Sequence, residues 1–103
     1  MFDKSNRYIT KGIQEEIPVE LQIFLWNRIE MLKKLVQELE YLQVFVLTSE
    51  RADDILIQIV EHRQEVPEYN KIHKILCKEM VDAKIFVIDD ENGHATMMLA
   101  EEY

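Results

Sequence analysis

Two stretches bring imidazole and carboxylate together: Glu61-His62-Arg63-Gln64-Glu65 and Asp89-Asp90-Glu91-Asn92-Gly93-His94. If the two strand ends were neighbours, His62, Glu65, Asp89, Asp90 and His94 would offer the nitrogen and oxygen donors that suit a divalent transition metal. None of them stands at a dedicated spacing such as His-Glu-x-x-His, and the turn is too short for a calcium loop. Solvated strand ends are the plainer reading, and no cofactor is expected.

Other chemistry is weaker still. Asp89-Asp90 and Glu101-Glu102 are consecutive along expected strands, where neighbours point to opposite faces, so neither pair forms a shared-proton dyad. Cys77 has His73 four residues before it, within reach on a helix, but no oxyanion signature lies nearby. A structural cysteine is the simpler account. With only two glycines in the chain, phosphate-cradling loops and dinucleotide fingerprints are excluded, and no Gly-x-Ser-x-Gly is present. The residue types argue for a binding module before an enzyme.

Two features of the longest periodic segment stand out. From Pro18 to about Leu39, residues Leu21, Leu25, Ile29, Leu32, Leu35, Val36 and Leu39 fall on one helical face, and Pro18 suits a helix start. Arg28 projects into the middle of that face. An unpaired guanidinium there would be costly, so it snorkels, meets a carboxylate or anchors a ligand. Val19, Ile23 and Trp26 form a second apolar patch opposite, which is either covered by the N-terminal segment around Tyr8 or used as an interface.

The elements around this helix follow from pattern. Arg7–Ile13 reads as a short strand. Tyr41–Ser49 and Ile55–Gln64 read as a hairpin with a loop of about five residues, closed by Val66-Pro67. Tyr69–Met80, with Ile72, Ile75, Leu76 and Met80 at helical spacing, reads as a second short helix. Asn92-Gly93 predicts a two-residue turn, which pairs Glu91 with His94, Ile88 with Met97, Phe86 with Leu99 and Lys84 with Glu101. The resulting order, β-α-β-β-α-β-β, predicts an α+β two-layer sandwich with a mainly antiparallel sheet and one long covering helix. Strands Tyr41–Ser49 and Lys84–Asp90 are apolar at both parities, so both faces of the sheet need cover.

Composition bounds the rest. A chain of 103 residues has room for one domain, 1–103. Twenty Asp and Glu against twelve Lys and Arg give a net charge of −8, which argues against nucleic acid and anionic membrane surfaces. A lone Cys77 excludes a disulfide framework. No apolar run at the N-terminus resembles a signal peptide, and no segment reaches the ~20 apolar residues of a membrane span. The cytoplasm is the expected compartment.

Several motifs together resemble a known family. They are Phe2-Asp3-Lys4-Ser5-Asn6-Arg7-Tyr8, Gln14-Glu15-Glu16-Ile17-Pro18, Glu20-Leu21-Gln22 with Leu25-Trp26, and Glu40-Tyr41-Leu42-Gln43-Val44-Phe45. His62-Arg63-Gln64-Glu65 with Pro67-Glu68-Tyr69, Lys84 to Asp90, and the ending Thr96 to Tyr103 complete the set. Over essentially the whole chain they resemble a domain-of-unknown-function family of short Firmicutes proteins, first described in staphylococci. The resemblance implies a bacterial cytoplasmic protein and no activity. The expectation is a self-associating interaction or regulatory module using Trp26 and an uncovered sheet face. The rival is a small-ligand or divalent-metal protein built from His62, Glu65, Asp89 and His94, with Arg28 as an anchor.

Overall fold

Alternating and helical periods sort the chain into six strands and two helices in the computed structural model, which describes residues 1–90 and 92–103. The order is β1 (Arg7–Ile9), α1 (Lys11–Glu16), α2 (Val19–Leu35), β2 (Leu42–Ala52), β3 (Ile55–Gln64), β4 (Tyr69–Leu76), β5 (Ala83–Asp89) and β6 (Ala95–Leu99), closed by a 3-10 turn at Ala100–Glu102. This is an α+β protein with one long helix. The sheet runs β1-β6-β5-β2-β3-β4, antiparallel except where β1 lies parallel to β6.

Period-two alternation divides the sheet into two rows of side chains. Phe45, Leu47, Val60, Ile85, Val87, Ala95, Met97 and Leu99 point inward and join Ile13 and Ile17 with Leu21, Leu25 and Ile29 of α2 in one buried cluster. Leu42, Val44, Val46, Ile59, Phe86, Ile88 and Met98 point outward and remain only partly buried. Both rows of the central strands are therefore apolar, and the helices cover one of them. No helix among the described residues is long and apolar enough to cross a membrane.

Three expectations are corrected. Tyr69–Met80 is not a helix: Tyr69–Leu76 is β4, paired antiparallel with β3 from Gln64↔Tyr69 to Ile57↔Leu76. Ile72, Ile75 and Leu76 satisfy either period, and the decision falls to tertiary structure. Without β4, the ten-residue β3 would be an open sheet edge. The strand expected over Arg7–Ile13 stops at Ile9, because the Thr10 side chain accepts the Ile13 N–H and starts α1. The element order is thus β-α-α-β-β-β-β-β.

The third correction is the register of the last hairpin, which is one residue away from the expected one. Ile85 faces Leu99, Val87 faces Met97 and Asp89 faces Ala95. Gly93 has φ +84°, but with Asp89 facing Ala95 the two-residue turn expected from Asn-Gly is not formed. Instead the Asp90 N–H donates to the His94 carbonyl at 2.8 Å, and Asp90 Oδ1 accepts the N–H groups of Asn92 and His94. The pairing expected for Glu91 lies outside the described residues. One residue of slip exchanges the inward and outward rows of a strand, and the observed register puts Val87 and Met97 together inside. Gly93→Ala places a side chain in left-handed backbone, and about 1–2 kcal/mol of stability is expected to be lost, read from a urea midpoint.

Candidate functional site

The metal set suggested by the residue types does not converge. His62 points inward on β3 and Asp89 inward on β5, with β2 between them and a four-residue offset along the strands. Strand geometry separates them by about 16 Å. Glu65 is exposed in the β3–β4 turn, where its N–H donates to Glu40 Oε2 at 2.7 Å. His94 precedes β6, three strands across the sheet from β3, its Nδ1 3.4 Å from Asp90 Oδ2 and its ring edge-on to Tyr8. No group of three metal-ligating side chains assembles among the described residues.

Two of these residues hold the fold together. Asp89 is buried, and its Oδ2 accepts the backbone N–H of Phe2. His62 is fully buried, stacked on Phe45 at 4.4 Å between centroids and met edge-on by Tyr69 at 5.3 Å. Gln43 Nε2 donates to Gln64 Oε1 at 2.7 Å and to the Glu40 carbonyl, so Gln43 Oε1 is the atom that faces His62 Nε2, at 2.7 Å. That acceptor requires a proton on Nε2 and leaves Nδ1 as a bare lone pair. Burial, with the charges of His73 and Arg28, holds the imidazole down to about 3. His62 is therefore neutral and internal, not a surface ligand.

Arg28 neither reaches the helix edge to pair with a carboxylate nor sits free. Its guanidinium lies over the Phe24 ring at 4.7 Å, and the same ring is edge-on to His73 of β4 at 5.7 Å. Arg28 Nε, His73 Nε2 and His62 Nδ1 are all buried without a hydrogen-bond partner. None of the ion pairs among the described residues involves Arg28 or His73. Burial, then the Arg28 and Lys71 charges, lower the His73 imidazole below its ordinary value. The result is a positive centre without a counterion between α2 and β4.

The helix patch is split. Val19 and Ile23 are 63% and 54% exposed. Trp26 is half-buried, its ring covered by the Arg7 guanidinium at 4.6 Å. Arg7 is itself held by Glu30, whose carboxyl also meets Lys33 at 3.0 Å. Burial of Glu30 opposes ionisation, but Lys33 and Arg7 outweigh it and keep the carboxyl below its usual range. The cover over Trp26 thus comes from Arg7 of the N-terminal segment, whose neighbour Tyr8 packs against His94.

A groove of about 640 Å³ opens beside the patch, lined by Val19, Leu21 and Phe24 of α2 and by Ile75, Leu76 and Cys77. Gln58 closes its floor by bonding the Val81 backbone through both amide atoms, at 2.8 and 2.9 Å. The internal roles of Gln43, Gln58 and Gln64 were not foreseen from residue type, and His73 was considered only as a base for Cys77. The available signal was parity, because glutamines at inward positions of apolar strands need internal partners.

Fold and site together define an α+β protein with a half-exposed sheet face and a basic centre. The chain belongs to the family described as staphylococcal protein of unknown function (DUF960), whose model matches residues 6–102. It is also similar to a solved structure described as the crystal structure of the protein of unknown function from Enterococcus faecalis. That likeness has a TM-score of 0.71 at 23% identity and covers 99% of this chain and 94% of the other. It bears on the fold alone. No curated protein matches the chain.

Proposed function

We propose that this protein is a small interaction module that self-associates through the outward face of its sheet. The observation that carries the reading is the outward row of Leu42, Val44, Val46, Ile59, Phe86, Ile88 and Met98. The helices leave this row uncovered, and Tyr103 meets it edge-on to Phe86 at 5.6 Å. The fold is then a two-layer sandwich whose missing third layer is a second copy. A six-stranded face spans about 24 Å by about 20 Å from strand spacing and length, of the order of what one partner contributes to a standard interface.

Charge supports a second copy as the occupant. The rim of the face carries both signs, with Arg63, Glu65, Glu68 and Lys84 around a shallow cleft over Val44 and Phe86. A two-fold contact meets its own surface, and mixed charge of this kind is self-complementary. Nothing in the net charge favours nucleic acid or membrane as the partner, and the cytoplasm remains the compartment we assign. The helix patch of Val19, Ile23 and Trp26 is a second reading, favoured by the exposure of its first two members.

Size-exclusion chromatography with light scattering tests the proposal. Wild type is expected to elute as a dimer. Val44→Glu, beside Arg63, and Ile72→Lys, beside Glu61, each add a charge with an opposite neighbour in the ladder. Combined, they are expected to yield a folded monomer, while Trp26→Ala leaves the dimer intact. A wild-type monomer at every concentration removes the reading.

A further inference from the structure

The six-stranded sheet ends on two edges that differ. β1 offers three residues, whereas β4 offers eight, Tyr69–Leu76, in unbroken register with β3. Every second residue of such a strand turns its N–H and carbonyl away from the sheet, where another strand can meet them. Proteins commonly protect a long edge with a proline, a bulge or a covering segment. Within β4 there is no proline, and its pairing with β3 has no bulge. Its outward side chains Ile72 and Leu76 are 57% and 75% exposed.

The ground beside this edge is apolar too. Leu21, Phe24, Arg28, Met31 and Leu35 follow one another at intervals of three and four along α2 and so share one face. Phe24 meets His73 of β4 edge-on, which sets that face over the edge strand, and Met31 and Leu35 remain exposed on it. Phe24 also lines the groove with Ile75 and Leu76. A strand added to β4 would find apolar contacts on both of its faces.

Charge selects what that strand can be. Lys71, Lys74 and Lys78 stand on or just beyond β4, and no acidic residue lies between Tyr69 and Lys78, although the chain carries a net charge of −8. Lys74 reaches Glu50 at 3.6 Å, both side chains being largely exposed, and Lys71 and Lys78 have no carboxylate partner among the described residues. Pairing β4 with β4 of a second copy would set these lysines against one another, which is unfavourable across a ladder. Opposite charge is favourable there, so the complementary strand is acidic. Glu20 and Glu79 stand at the groove by Leu76, so no carboxylate belongs at the end of the partner that meets the groove.

We propose that β4 is a docking edge that takes an extended acidic segment of a partner protein as an antiparallel seventh strand, with carboxylates opposite Lys71 and Lys74 and apolar side chains against Phe24 and Leu76. Main-chain hydrogen bonds to the edge hold the segment, and the lysines choose it. The edge and the outward face of the central strands are different surfaces, so this docking and the self-association stand independently.

Synthetic peptides the length of β4, with both termini capped, test the proposal by fluorescence anisotropy on the wild-type protein. One alternates valine and threonine except for two glutamates set to face Lys71 and Lys74, and its counterpart carries lysines in those places. The glutamate peptide is expected to bind saturably and at least about tenfold more tightly than the lysine peptide, equivalent to about 1.4 kcal/mol. That order runs against the net charge of the protein, so it reports the local edge. Lys71 and Lys74 are both exposed, and the combined Lys71→Glu and Lys74→Glu variant is expected to reverse the preference. Methylating the backbone nitrogens of every second peptide residue is expected to abolish binding in one phase of the alternation and to spare it in the other. Amide hydrogen exchange of alternate β4 residues is expected to slow in the complex. Equal affinity for the two peptides, no saturable binding of the glutamate peptide, or binding that leaves β4 exchange unchanged would overturn the proposal.

Discussion

Phe2→Ala is expected to lower the free energy of unfolding by about 3–5 kcal/mol, the largest single-residue effect in this molecule. Phe2 is fully buried in the same cluster as Leu25, Ile29 and Val87, although it precedes the first strand. Its backbone is held from three sides. The N–H donates to Asp89 Oδ2, and the carbonyl accepts from Arg7 Nη2 and Lys33 Nζ, both at 3.0 Å. Relaxation cannot readily refill the vacated volume, because the polar contacts hold the segment in place. A urea titration followed by circular dichroism reads the effect. A loss below about 1 kcal/mol would mean that the N-terminal segment does not pack as described.

Acidification is expected to destabilise the fold through His62. The folded protein holds this imidazole neutral down to about 3, whereas the unfolded chain protonates it near 6.5. Below pH 6.5 the unfolded state therefore binds one more proton. Stability is full above that pH, falls by about 1.4 kcal/mol per pH unit as pH drops, and levels off near pH 3. At pH 4.5 the loss from this residue alone is about 2–3 kcal/mol. His62→Gln retains an amide donor for Gln43 and removes the titration. Its stability is expected to vary with pH by one proton less than wild type between pH 6 and 4. Parallel curves for the two proteins would show that His62 is not held neutral.

Legibility in the residues followed from how local each cause was. Helix α2 was evident over Val19–Leu35 because Leu21, Leu25, Ile29 and Leu32 repeat and are all buried, but the expected continuation to Leu39 is not helical and Leu35 is exposed. The β2–β3 and β5–β6 hairpins were evident from β-branched runs flanking turn residues. The β5–β6 register was not, because Asp90 uses its carboxylate to cap Asn92 and His94 and so lengthens the turn. Strand β4 was misread, since Ile72, Ile75 and Leu76 fit two periods and only the free edge of β3 decides between them. The site was partly visible. Arg28 was conspicuous on an apolar face, but the meeting of both Arg28 and His73 with the Phe24 ring required β4 to be a strand. The His62–Glu65–Asp89–His94 set failed because strand alternation and the intervening β2 separate residues that composition alone would group.

Proximity in type was thus a poor guide to chemistry, while parity was a good one. The apolar outward row was already implied by strands hydrophobic at both parities, and the structure leaves that row half-exposed with no helix over it. The same alternation that buries Phe45 and Val87 turns Val44, Val46 and Ile88 toward a second molecule in the proposed assembly.

A methyl-labelled NMR dilution series tests that assembly most directly. Methyl resonances of Val44, Val46, Ile59 and Ile88 are expected to shift together as the protein is diluted, while those of the buried Leu25, Ile29 and Val60 stay fixed. Shifts confined to Val19 and Ile23, or no concentration dependence in a protein that is monomeric throughout, would contradict self-association through the sheet face.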